Sequence, residues 1–94
     1  MAVTRINNRI LVTADNDTLT NFSGCIENIV LISGTTSPSA QIKLTDTNGA
    51  VLWESGTTAD NAHTCDQVDL RIDAAQTLHF DLAGTGTKLY LYHD

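Results

Sequence analysis

Apolar and polar residues alternate with period two through the last third of the chain. The pattern runs through Val68-Asp69-Leu70-Arg71-Ile72, Leu78-His79-Phe80-Asp81-Leu82 and Leu89-Tyr90-Leu91-Tyr92. Successive side chains of a strand point to opposite faces, so this rhythm predicts half-buried β-strands. The same grammar holds upstream. Arg9 to Ala14 reads as a strand with Ile10 and Val12 on one face. Thr18 to Phe22 reads as a short strand anchored by Leu19, and Ser23-Gly24 is expected to break it. Cys25 to Ser33 is the most hydrophobic segment, and Ile29-Val30-Leu31-Ile32 is apolar at both parities. A strand apolar on both faces is covered on both, which predicts a central position or an oligomer contact. Ala40 to Thr45 and Ala50 to Glu54 flank Asp46-Thr47-Asn48-Gly49. Asn and Gly both tolerate positive φ, so this is the signature of a β-hairpin.

The connections are polar. Asp15-Asn16-Asp17 reads as a turn, 34–39 as a polar loop around Pro38, and 55–65 as the longest stretch without strand character. Ala74-Ala75 and Gly84-Thr85-Gly86 are the other connections, and the only helix-like candidate is a turn near Asp73-Ala74-Ala75-Gln76. Ser55-Gly56-Thr57-Thr58 repeats Ser33-Gly34-Thr35-Thr36, but loops use these residues anyway, and one short match makes no repeat architecture. Seven or eight short strands at roughly 8–12-residue spacing predict an all-β fold, an antiparallel β-sandwich or small barrel. Residues 1–94 are expected to form a single domain, with 1–8 as an extended N-terminal arm or edge strand whose apolar anchors are Val3 and Ile6.

Composition narrows the function classes. Aromatics make up 5 %, so the core must be built mainly from Ile, Leu and Val. The net charge is −6, and Arg5, Arg9 and Arg71 are scattered among five cations, so no basic face for nucleic acid is expected. An acidic balance is also repelled by anionic membranes. The first twenty residues show no basic segment followed by a long apolar one, and the longest apolar run has strand length. The expectation is a chain made in the cytoplasm without a signal peptide and without a membrane span.

Candidate chemistry is thin. His63-Thr64-Cys65-Asp66 gathers three ligand types but lacks zinc spacing. Cys25 and Cys65 are expected to be two buried thiols, with a bridge between them as the alternative in an oxidising location. Asp15-Asn16-Asp17 and Asp46-Thr47-Asn48-Gly49 do not supply the calcium-loop ligand pattern. There is no nucleophile-elbow motif, and Glu27 and Glu54 read as solvent-facing strand residues. Gly84-Thr85-Gly86 lacks the following helix that a phosphate site needs. The reading is a non-enzymatic chain without metal or cofactor.

The aromatic residues say more. On the last strand Leu89 and Leu91 share one face, and Tyr90 and Tyr92 share the other. Tyrosine outside a sheet suits an interface, because a large apolar ring carries a polar tip. Trp53 either joins the core with Val51 or joins the tyrosines. The candidate contact residues are therefore Val3, Ile6, Trp53, Tyr90 and Tyr92.

The chain resembles the small virion structural proteins of tailed bacteriophages. The features that carry the resemblance are the start Met1-Ala2-Val3-Thr4-Arg5, strands rich in Thr, Asn and Asp, and the closing strand Lys88-Leu89-Tyr90-Leu91-Tyr92. The resemblance implies a capsid decoration (cement) protein or a small tail or fibre subunit. It further implies a jelly-roll, Ig-like or β-tulip-like sandwich, and often a homotrimer on the outside of the shell. The expected partners are other virion proteins, above all the major capsid protein. The alternative is a carbohydrate-binding or adhesive module, with Trp53, Tyr90 or Tyr92 stacking on sugar and the 55–65 loop adding polar groups.

Overall fold

The computed structural model describes residues 3–45 and 49–94. Among the described residues the fold is all-β, with seven strands: β1 (Val3–Ile6), β2 (Arg9–Val12), β3 (Asp17–Ile32), β4 (Thr35–Leu44), β5 (Val51–Glu54), β6 (His63–Thr85) and β7 (Lys88–His93). They form one sheet in the order β1-β2-β7-β3-β6-β4-β5, and every neighbouring pair is antiparallel. The apolar run Ile29–Ile32 does lie centrally, between β7 on one side and β6 on the other.

Two strands are longer than the alternation suggests. β3 has 16 residues and β6 has 23, because the expected breaks are bulges inside continuous strands. Phe22 pairs with Gln76 and Gly24 with Ile72, so a single β3 residue, Ser23, opposes Asp73, Ala74 and Ala75. The turn expected at 73–76 and the break expected at Ser23-Gly24 are thus one irregularity. Surplus residues in a bulge bend a strand without ending its ladder. Asn21, at φ 57°, and Gly24, at φ 132°, supply the backbone freedom that the bend needs.

The loop expected at 34–39 is also mostly strand. Thr35 pairs with Thr85 and Ser39 with Ala83, so Thr36, Ser37 and Pro38 bulge opposite Gly84. Residues 55–62 close over this end of the sheet, and β6 begins earlier than the long polar stretch suggests, at His63. The two Ser-Gly-Thr-Thr segments meet here, with the Ser33 and Thr58 hydroxyls 2.6 Å apart. Backbone bonds from Ser33 N–H to Ala62 C=O and from Asn61 N–H to Gly34 C=O fasten the loop. The expected hairpin is present as β4–β5, with Gln41 opposite Glu54 and Ile42 opposite Trp53. The turn residues 46–48 lie outside the described residues.

The alternation is borne out side chain by side chain. Ile72, Leu78, Phe80, Leu82, Leu89 and Leu91 are buried, as are Ile10, Val12, Ile29 and Leu31. These residues come from strands spread across the sheet, yet they share one core cluster with Ala40, Ile42 and Trp53. A flat seven-stranded sheet would be roughly 33 Å wide and about 10 Å thick. The molecule measures 35 × 26 × 23 Å, so the bulged sheet curls, and residues from both halves of it meet in the one core cluster.

Candidate functional site

The curl leaves β1, β2, β7, β3 and the first half of β6 with a second, outward face. Register defines its rows. Thr4, Leu11, Tyr90, Val30 and Cys65 are successive cross-strand partners, and so are Ile6, Arg9, Tyr92, Asn28 and Gln67. A third row joins Lys88, Ile32 and His63. Residues directly opposite in an antiparallel ladder point to the same side. Leu89, Leu91, Ile29 and Leu31 point into the core, so their neighbours along each strand point away from it.

This outward face is apolar for a solvated surface. Ile6 is 54 % exposed and Tyr92 40 %, while Leu11, Tyr90, Val30 and Ile32 are half-buried. Tyr92, Val30, Asn28 and Cys65 line a shallow depression at its centre. The Arg9 guanidinium lies over the Tyr90 ring, 5.5 Å from its centroid, in a cation–π contact. Arg9 and Lys88 sit within the three rows and no carboxylate does. These three rows are therefore apolar and basic in a chain of net charge −6.

Of the five candidate contact residues, the structure brings Ile6, Tyr90 and Tyr92 together on this face. Val3 is opposite Val12 and packs, half-buried, against the core. Trp53 is 8 % exposed; its indole N–H donates to the Asp66 carboxylate at 2.9 Å, so the ring closes the core. Leu11, Val30, Ile32 and Cys65 belong to the face but are not among the residues picked from sequence. Their signal was present in Ile10-Leu11-Val12 and Ile29–Ile32, where both parities are apolar.

The cysteines divide. Both are free; Cys25 is buried and Cys65 is exposed, which corrects the expectation of two buried thiols. Val30 is opposite Cys65 and Arg71 opposite Cys25, so the two lie well apart along the β3–β6 ladder and no bridge forms. The Cys25 thiol donates to Asp69 Oδ1 at 3.0 Å. That bond to a carboxylate, with desolvation behind it, pushes the thiol up to about 11 and keeps it protonated. His63 and Cys65 point outward while Asp66 points inward to Trp53, so the four-residue cluster is split between the two faces of the sheet. Among the described residues no group of three or more His, Cys, Asp or Glu is placed to hold a metal ion.

Other polar contacts tie the fold. Asp15 Oδ1 accepts the backbone N–H groups of Asn16 and Leu82, at 3.0 and 2.8 Å, so it anchors the β2–β3 turn to β6. Glu54 accepts from the Gln41 amide at 2.6 Å, and Lys43 pairs with Asp81 at 3.0 Å, both across exposed strand surface. Among the described residues no helix is long and apolar enough to cross a membrane. No protein-family model matches this chain, and no similar protein is found among the curated ones.

Proposed function

We propose that this chain is a non-enzymatic structural subunit that works by surface contact, in the form of a virion decoration protein that clamps the outer shell of a capsid. The observation that supports this reading is the outward face of β1-β2-β7-β3-β6, where Ile6 and Tyr92 stand exposed beside Leu11, Tyr90, Val30 and Ile32. A contiguous apolar face with aromatic residues and arginine has the make-up of an interface core. The edge strand β1 extends the face and, among the described residues, pairs with a strand on one side only, which suits pairing with a neighbouring chain. A clamp of this kind stabilises a shell by burying surface across adjacent capsomers and needs no pocket.

The test is co-sedimentation of the purified chain with the capsid shell encoded beside it in its genome. The chain should pellet with the shell, and Ile6→Ser with Tyr92→Ser should leave it in the supernatant. Flanking genes without a capsid, portal or terminase product would overturn the virion assignment. A chain that ignores the shell and binds immobilised glycans through Tyr90 and Tyr92 would replace it with the carbohydrate-binding reading.

A further inference from the structure

The outward face changes character along its strands. At the end marked by Lys88, Ile32 and His63 it is basic and apolar. In the middle lie the Tyr90–Val30–Cys65 and Tyr92–Asn28–Gln67 rows. At the far end Cys25 is opposite Arg71, and the Asp94 N–H donates to the Cys25 carbonyl, which places Asp94 beside them. Exposed Glu27 and Asp69 flank this end, so it carries three carboxylates, with Asp94, to the one guanidinium of Arg71. The exposed side chains of β6 run in order along the gradient: His63, Cys65, Gln67, Asp69, Arg71, Asp73. The face thus has an end that carries Lys88, an apolar and aromatic middle that also holds Arg9, and an end where carboxylates outnumber cations.

Such a surface is complementary to itself when reversed. We propose that it docks a second copy of this chain, face to face, about a two-fold axis perpendicular to the strands and running between the Tyr90 and Tyr92 rows. This operation keeps the strand order and inverts the rows. Tyr90 and Val30 of one copy then lie over Tyr92 and Asn28 of the second copy. Lys88 lies over Asp94 of the second copy, and His63 lies over its Asp69. The identical patch serves both copies, as a two-fold contact requires. Aligned sheet-on-sheet packing at about 10 Å separation accommodates the interdigitated side chains. The reversed orientation is selected by charge, since the parallel one would set Lys88 against Lys88 and Asp94 against Asp94.

The inference rests on the reading of this face as a contact surface, though not on the identity of the shell. It replaces the trimer implied by the phage resemblance with a two-fold pair. The footprint spans five strands, roughly 24 Å, by about 20 Å along them. That is about 480 Å² per copy, below the roughly 800 Å² per partner of a standard interface, so the pair should be weak and dissociate on dilution.

The experiment is light scattering across a dilution series of the full chain, with a short bis-maleimide as a second readout. A dimer mass that falls on dilution is expected. Lys88→Glu should weaken the pair by about tenfold or more, and Lys88→Glu combined with Asp94→Lys should recover most of that loss. Cys65 lies one row from the axis and is the exposed thiol, so the linker should yield a covalent dimer whose amount follows the same order. A monomer at every concentration, a trimer, or a dimer indifferent to Lys88→Glu would overturn the proposal. If Asp94→Lys perturbs folding, the Lys88→Glu and cross-linking results still decide. A monomer that nevertheless pellets with the capsid shell would sink the pair and leave the proposed function standing.

Discussion

The two cysteines show how position, and not residue type, sets chemistry. Cys25 is enclosed and donates to Asp69, while Cys65 stands on the outward face beside Tyr92. Alkylation at pH 8 should therefore modify one thiol in the folded chain and two after denaturation, read by intact mass. The raised thiol also gives stability a defined pH dependence. The unfolded thiol loses its proton near its ordinary value of 9.0, whereas the folded one holds it to about 11. Its contribution is thus complete below 9 and declines as pH climbs toward 11. Cys25→Ala should flatten that alkaline decline in urea midpoints measured between pH 8.5 and 11, while Cys65→Ala should leave it in place. The separation of the cysteines was not legible in the sequence, where the rhythm around Cys25 is broken by Ser23-Gly24. The outward pair Tyr90 and Tyr92 was legible, because the leucines between them fix the parity of a regular strand. Trp53 was ambiguous for a local reason. Val51-Leu52-Trp53 is apolar at every position, and the irregularity between Ile42 and Lys43 leaves Val51 exposed while Trp53 goes inward.

At the scale of elements, what could not be read was where strands continue. Asp73-Ala74-Ala75-Gln76 has turn composition, yet its first three residues are the surplus of a bulge, because β3 runs alongside and keeps supplying hydrogen-bond partners on both sides of them. Local pattern carries strand identity and facing; it does not carry the neighbour that turns a would-be break into a bend. The same limit applies to 34–39, where three residues opposite Gly84 look like loop. This end of the sheet is tightly built. A Cβ on Gly34 would meet the Thr85 carbonyl oxygen at 1.8 Å and the Thr87 nitrogen at 2.8 Å, both of them backbone atoms that cannot swing aside. Gly34→Ala is expected to cost at least about 3 kcal/mol, since the β4–β6 pairing must open to admit the methyl group. Gly56 is the control. It has φ +68° but nothing within 4 Å, so Gly56→Ala bears only the left-handed backbone penalty, about 1 kcal/mol. Thermal melts of the two variants should separate clearly. Equal losses would mean that the backbone around Gly34 shifts at little cost and that the close approach does not govern this pole.

For the whole molecule, the sheet order makes the two ends of the chain unequal. Among the described residues β2 pairs only with β1 and β7, and β7 joins that pair to the rest of the sheet's ladder through β3. β1 lies at the edge, with Val3 half-buried and Ile6 exposed. Deleting residues 1–6 should therefore remove one edge ladder, lower the urea midpoint, and leave a folded β protein. Ending the chain at Thr87 is a different operation. It removes Leu89 and Leu91, both fully buried, and it strands Ile10 and Val12, which reach the core only while β7 holds β2 in place. Truncating a buried leucine typically costs about 2–5 kcal/mol, and four such anchors together exceed the roughly 5–15 kcal/mol that holds a domain folded. The chain ended at Thr87 should show no cooperative transition and a disordered circular-dichroism spectrum. The pairing of Arg9 with Tyr92 also means that this joint closes only after nearly the whole chain has been gathered. Ladders between distant segments are slow to form, so refolding on the millisecond-to-second scale is expected for the full chain. A Thr87-terminated chain that still melted cooperatively would show that β3, β6, β4 and β5 form a core by themselves. The β1-β2-β7 wing would then be an attachment to that core, and the outward face could change by strand exchange without unfolding the molecule.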